Sequence, residues 1–256
     1  MPEVLNTIRV LSRNGPVTIE LARWEGRLVV AKRVVGASEM MASRLGREAQ
    51  VAGRLRHVNI VPLLGVVDGA LIYDYCPGIN LAELIDETRL QPARIVEIMD
   101  GVLSALSFAH AQGVIHLDVK PSNILIRGRE AFLTDFGFAK DLALANITSE
   151  HALMGTPGYM APEQFRGIRN DPRSDVYGVA AVLHHMLTGQ PPYGSDVLRF
   201  LLGDAEITLK EPDGPAAPFA DLLRKALQRD PDERFQTVDE LRAALNARAP
   251  RAGMTA

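Results

Sequence analysis

The chain has 256 residues, of which 47% are hydrophobic, and a net charge of −3. Chains of this size bury about 70–75% of their unfolded surface, enough for one large domain or two lobes. The near-neutral total gives no polyanion-binding signal. Residues 1–73 carry ten Lys/Arg against six Asp/Glu, a local excess that reads as a solvated basic face rather than a nucleic-acid site. The single cysteine, Cys76, excludes an intrachain disulfide and fits a reducing, cytoplasmic compartment. No membrane segment is expected: "YGVAAVLHHMLTG" is too short and is cut by His184 and His185. "MPEVLNTIRV" lacks the charged-then-apolar order of a signal peptide.

In chain order, "VTIELARW" and "RLVVAKRVV" are rich in β-branched residues and predict two strands joined at "EG". "SEMMASRLGREAQVAGRL" has apolar residues at helical spacing, with Ser38 as N-cap. "IVPLLGVVDGALIYDY" predicts a hairpin about Asp68-Gly69. After "CPGIN" the pattern turns helical. "LAELIDE" is short, and a long helix begins near Pro92 and stops at Gly113. "NILIR" and "AFLTDFG" are short apolar segments. Residues 138–172 form a long loop of little periodicity, the kind of segment that often carries function. "SDVYGVAAVLHHMLTG", "PFADLLRKALQ" and "TVDELRAALNAR" predict further helices, and the tail is expected to fray.

The chemistry concentrates in "VIHLDVKPSNIL", where His116, Asp118, Lys120, Ser122 and Asn123 interrupt an apolar frame. In order along the chain stand Lys32 in "VVAKRV", Glu48 in the next helix, Asp118, Lys120 and Asn123 in "HLDVKPSN", then "DFG" (Asp135 to Gly137) and "APE" (Ala161 to Glu163). Any one of these is weak; five in this order and element context resemble the eukaryotic-type serine/threonine protein kinase family, from about residue 8 to residue 245. The resemblance is greatest to bacterial members.

The resemblance implies an α+β bilobal fold: an antiparallel N-lobe with one helix over about 1–73, a hinge at 74–77 and a mostly helical C-lobe over 78–248, with a flexible tail at 249–256. It implies ATP as phosphoryl donor, Mg²⁺ as cofactor and proteins as substrates, with autophosphorylation in trans among the reactions open to such a chain. Lys32, steadied by Glu48, holds the α and β phosphates. Asp118 positions the hydroxyl, Lys120 neutralises the phosphoryl group, and Asn123 and Asp135 ligate the metal. Ile19, Ala31 and Leu125 match the positions that sandwich adenine. Tyr73 matches the gatekeeper, and the hinge at Asp74 and Cys76 pairs with the base. His116 and Phe136 are packing residues of the family's regulatory spine. Thr156 matches a threonine that contacts Asp118 and Lys120, Asp175 a residue that ties down the catalytic loop, and Glu163 and Arg234 a buried ion pair. Lys120, two residues after the aspartate, and "GTPGYMAPEQ" match the serine/threonine class.

Two departures stand out. In "SRNGPV", Ser12, Asn14 and Val17 replace the three glycines of the family's phosphate-covering loop, and glycine is what lets a backbone approach phosphate closely. Two readings therefore stay open: an active kinase, and a pseudokinase or nucleotide-binding scaffold. The second is Leu117, where the family most often has an arginine that pairs with a phosphorylated activation-loop residue. With leucine there, phosphorylation of Thr148 or Ser149 is expected not to be required.

Overall fold

The computed structural model describes residues 5–36, 39–141, 157–204 and 207–249. Ser38, Thr148, Ser149, Thr156 and nearly all of the expected tail lie outside the described residues. Five strands form one antiparallel sheet: β1 (Asn6–Asn14), β2 (Val17–Trp24), β3 (Arg27–Val34), β4 (Leu63–Val67) and β5 (Ala70–Asp74), in the order β1-β2-β3-β5-β4. Both expected turns are tight. Glu25-Gly26 and Asp68-Gly69 have positive φ at each residue, the conformation that two-residue hairpins favour because it matches strand twist.

The stretch 12–17, which stands where the family has its phosphate-covering loop, is a closed hairpin. The ladder continues through Ser12–Ile19, Arg13–Thr18 and Asn14–Val17, leaving only Gly15 and Pro16 to turn the chain. Gly15 has φ +57°, which glycine adopts without steric cost.

Helix α1 (Glu39–Ala52) lies between β3 and β4 in sequence. It ends short of the predicted residue 55, because the Arg54 and Leu55 N–H groups bond three residues back, to Val51 and Ala52, and tighten the last turn. The two faces of the sheet bury different clusters. Ala22, Trp24, Val29, Ala31, Ala70 and Ile72 form one; Leu63, Leu71, Tyr73 and Phe132, with half-buried Val30, Cys76 and Leu125, form the other.

The remainder is mainly helical: α2 (Leu81–Glu87), α3 (Pro92–Ala111), α4 (Pro162–Phe165), α5 (Arg173–Thr188), α6 (Val197–Leu201), α7 (Ala220–Ala226) and α8 (Val238–Asn246). Short strands β6 (Ile79–Asn80), β7 (Val114–Ile115), β8 (Ile124–Arg127), β9 (Glu130–Leu133) and β10 (Lys140–Asp141) carry the connections. Pro92 opens α3 at a position where its missing N–H costs nothing, and Gly113 leaves it at φ +72°. One large apolar core joins α3, α5, α7, α8 and the β8–β9 hairpin. Helices α4 and α6 were not legible as helices; four and five residues are too few for a periodic pattern to show.

Beneath this core, Glu163 and Arg234 form the expected buried pair, with two contacts of 2.7 Å. Ser174 also donates to Glu163, and Arg234 donates to the carbonyls of Arg173, Gln228 and Arg229, so the guanidinium is fully partnered.

Candidate active site

Between β7 and β8 the chain is suspended from α5. Asp175 accepts the His116 N–H on Oδ2 and the Leu117 N–H on Oδ1, both at 2.8 Å, and His110 Nε2 approaches Oδ2 at 2.8 Å. Burial would raise the Asp175 pKa, but the hydrogen bonds and charge from His110 and the backbone N–H hold it below the ordinary carboxylate range. Leu117 sits at φ +64°, a left-handed conformation that costs a non-glycine residue about 1–2 kcal/mol. It is held there from both ends, since its carbonyl accepts from Gln164 Nε2 at 2.8 Å. His116 Nδ1 accepts the Asp118 N–H, which leaves Nε2 to donate to the Thr134 carbonyl at 3.1 Å. With both nitrogens engaged and the ring fully buried edge-on against Phe136, His116 has no lone pair for a substrate. The packing reading of His116 and Phe136 fits this geometry.

Asp118 is the centre of a compact polar group. Lys120 Nζ lies 2.8 Å from its Oδ2. Asn123 donates to the Asp118 carbonyl at 2.8 Å and to Oδ2 at 3.0 Å from the 3-10 turn at Pro121–Asn123. With its amide nitrogen engaged, the oxygen of Asn123 is the atom left to coordinate.

A second group faces it. Lys32 Nζ contacts both oxygens of Glu48 at 2.8 Å and Asp135 Oδ1 at 2.7 Å. Burial disfavours the Lys32 charge, yet Asp135 and Glu48 outweigh it and raise the Lys32 pKa. Burial likewise pushes Asp135 up, and Lys32 more than reverses this, so Asp135 lies below the ordinary range. A Cβ at Gly137 would stand 2.8 Å from Glu48 Oε2 and 3.0 Å from both Asp135 Oδ1 and Lys32 Nζ. The glycine of "DFG" is what allows this three-way array to close. Tyr73, from β5, donates its hydroxyl to Glu48 Oε1 at 2.7 Å. The gatekeeper match of Tyr73 does not imply this bond, which spans 25 residues of chain and has no local signal.

Ile19 is register-paired with Lys32, and Val30 with Tyr73, so these four residues share one face of the sheet. Ala31 does not. Side chains alternate along a strand, and Ala31 is buried on the opposite face with Trp24 and Ile72. The residue of β3 beside Lys32 is Val30, and the expectation for Ala31 is corrected accordingly. Counting back two from Lys32 would have found it. Leu125 and Cys76 pack in the cluster on the Lys32 side. Burial, the largest influence on Cys76, raises its thiol pKa, which fits a packed thiol rather than a reactive one. Asp74 ends β5, and its N–H bonds to the Pro62 carbonyl. Among the described residues the Cys76 backbone N–H meets no acceptor, so it is open to a ligand.

The donors present fit Mg²⁺ shared with a phosphate. Asp135 and Asn123 supply one carboxylate and one amide oxygen, and Mg²⁺ takes few protein ligands and keeps waters or phosphate oxygens as the rest. No group of three or more His, Cys, Asp or Glu among the described residues could hold a metal alone. Sequence reasoning also missed Gln164 and His110, which support the loop, and Arg169 and Arg44, which donate to the carbonyls of Phe138 and Gly137.

The family described as "Protein kinase domain" matches residues 13–245. The chain belongs to this family. Among curated proteins it is similar to serine/threonine-protein kinase PknB of Mycolicibacterium smegmatis, 35% identical over 227 residues, covering 79% of this chain and 35% of that protein. PknB of Mycobacterium tuberculosis H37Rv is 34% identical over 219 residues, with 79% and 35% covered. PknE of the same strain is 34% identical over 258 residues, with 93% and 45% covered. The chain thus spans between a third and a half of the length of these relatives. No helix among the described residues is long and apolar enough to cross a membrane.

Proposed function

We propose that the chain transfers the γ-phosphoryl group of ATP to serine or threonine hydroxyls of proteins. The observation that carries this reading is the simultaneous closure of two polar groups: Lys32 with Glu48 and Asp135, and Asp118 with Lys120 and Asn123. Phosphoryl transfer asks a protein mainly for positioning and neutralisation, and these are the groups that provide them. Lys32 would hold the α and β phosphates. The carboxylate of Asp118 would orient the incoming hydroxyl and take its proton, and Lys120 would offset charge on the transferring group. Asn123 and Asp135 would hold Mg²⁺, which when bound neutralises the β and γ oxygens. Ile19, Val30 and Leu125 would bracket the adenine, with the Asp74 carbonyl and the Cys76 N–H on its edge. Lys120 places the chain with the serine/threonine class, as do the names of its relatives. A kinase domain over residues 1–248, a cytoplasmic setting and activity without phosphorylation of Thr148 or Ser149 belong to the same proposal.

The test is incubation with labelled ATP, Mg²⁺ and a generic basic protein, wild type beside Asp118→Asn and Lys32→Met. Label on the protein from wild type alone supports the reading; equal label from all three sinks it. The closed turn at Gly15-Pro16 favours a second reading, a nucleotide-binding scaffold without turnover, because it offers phosphates little free backbone. If no label is transferred, a thermal-shift titration with ATP, with and without Mg²⁺, tells a nucleotide-binding scaffold, which ATP stabilises, from an inert one, which it does not.

A further inference from the structure

Glu48 is carried by α1, but the donors that hold it come from the sheet. The register pairs Lys32 with Leu71 and Val30 with Tyr73, so Lys32 and Tyr73 are diagonal neighbours on one face, fixed relative to each other by two hydrogen-bonded strands. Helix α1 meets that face with Leu45, Ala49 and Ala52, a small apolar surface for holding a helix in one rotational setting. The carboxylate of Glu48, buried at 4% exposure, adds a polar tie between α1 and the sheet through Lys32 and Tyr73.

The two donors differ in what can draw them away. The contacts of Lys32 Nζ, two to Glu48 and one to Asp135, use its three N–H bonds, and any phosphate bound by Lys32 takes one of these. Tyr73 has a single proton, is 6% exposed, and gives that proton to Glu48. Burial, then the charge of Glu48, raises its pKa well above the ordinary value, so the hydroxyl stays a donor.

We propose that Tyr73 is a positioning residue whose hydroxyl keeps Glu48, and with it α1, in register with Lys32 while phosphate draws on Lys32. It works from within the sheet, and so needs no cation at position 117. The inference rests on the kinase reading for its effect on turnover, though not for its effect on α1.

Tyr73→Phe keeps the ring and removes only the hydrogen bond. We expect kcat to fall about tenfold with KM for ATP within about twofold, the split that marks an interaction serving the reacting geometry rather than uniform binding. In a Glu48→Leu background, which has no acceptor for the hydroxyl, the same substitution should add less than twofold, because the two residues act through one bond. Hydrogen exchange across residues 39–52 should be faster in Tyr73→Phe, while exchange in α3 and α5 is unchanged. A kcat within twofold of wild type overturns the proposal, and so does a full additive loss in the Glu48→Leu background. So does unchanged exchange in α1, which would leave Tyr73 as bulk alone. If Tyr73→Phe does not fold, Tyr73→Met gives the same three measurements with a flexible side chain of similar reach. If wild type transfers no phosphate, the kinase reading fails and the exchange experiment alone decides on Tyr73.

Discussion

The catalytic loop and the β1–β2 hairpin were expected to flank the same phosphates, and they are built in opposite ways. Residues 116–119 are buried, and Asp175, Gln164 and His116 each hold a named backbone atom of the loop. At the hairpin tip, Ser12, Arg13, Gly15 and Pro16 are exposed, and the tip is held by its own ladder. The groups proposed to meet reacting atoms are over-determined here, whereas the hairpin tip has little besides backbone pairing to constrain it. Departure from the family pattern at the tip therefore disturbs less than departure in the loop.

The widest break in that comparison is Asp118→Asn. It should lower phosphorylation of an added protein by about 10²–10⁴-fold, with the thermal midpoint close to wild type. Arg234→Met should do the converse. It strands Glu163 in the core and should cost about 3–5 kcal/mol in urea unfolding, with ATP affinity of the folded protein retained. Acid should weaken the loop side first. Asp175 and Asp135 both lie below their unfolded pKa values, so their contribution is present above about pH 4 and is lost as pH falls through the native values. Urea midpoints from pH 7 to pH 3 should decline, and less steeply for Asp175→Asn. At the hairpin, Val17→Gly should cost no more than about 1 kcal/mol of stability and change KM for ATP by less than threefold. Thr148→Ala with Ser149→Ala, the smallest expected effect, should leave turnover on an added substrate within about twofold; a collapse to background in a folded protein would show that Leu117 does not release the chain from phosphorylation.

Much of the site was legible because charged and amide side chains interrupt apolar frames. Asp118, Lys120 and Asn123 do so within six residues, and the structure brings them together within 3.0 Å of one carboxylate oxygen. Lys32 and Glu48 were legible from their order and their elements. The rest was lost for separable reasons. Ala31 was a miscount against the two-residue period of a strand, correctable from sequence alone. The tight closure at Gly15-Pro16 agrees with Gly-Pro as a turn signal, but how far the ladder runs toward it depends on strand pairing. The bond from Tyr73 to Glu48, and the support of Leu117 by Gln164, are tertiary contacts between elements that no window along the chain covers.

The loop is held by its amides and carbonyls, and this has a consequence for position 117. Asp175 and Gln164 address the backbone of Leu117 and make no use of its side chain. The left-handed backbone before Asp118 is thus set without help from the side chain at 117, although that side chain is itself buried, at 7% exposure. Leu117→Arg would keep both backbone supports but put a guanidinium where a buried leucine stands, so the new charge must reach solvent or a partner before it can receive a phosphate.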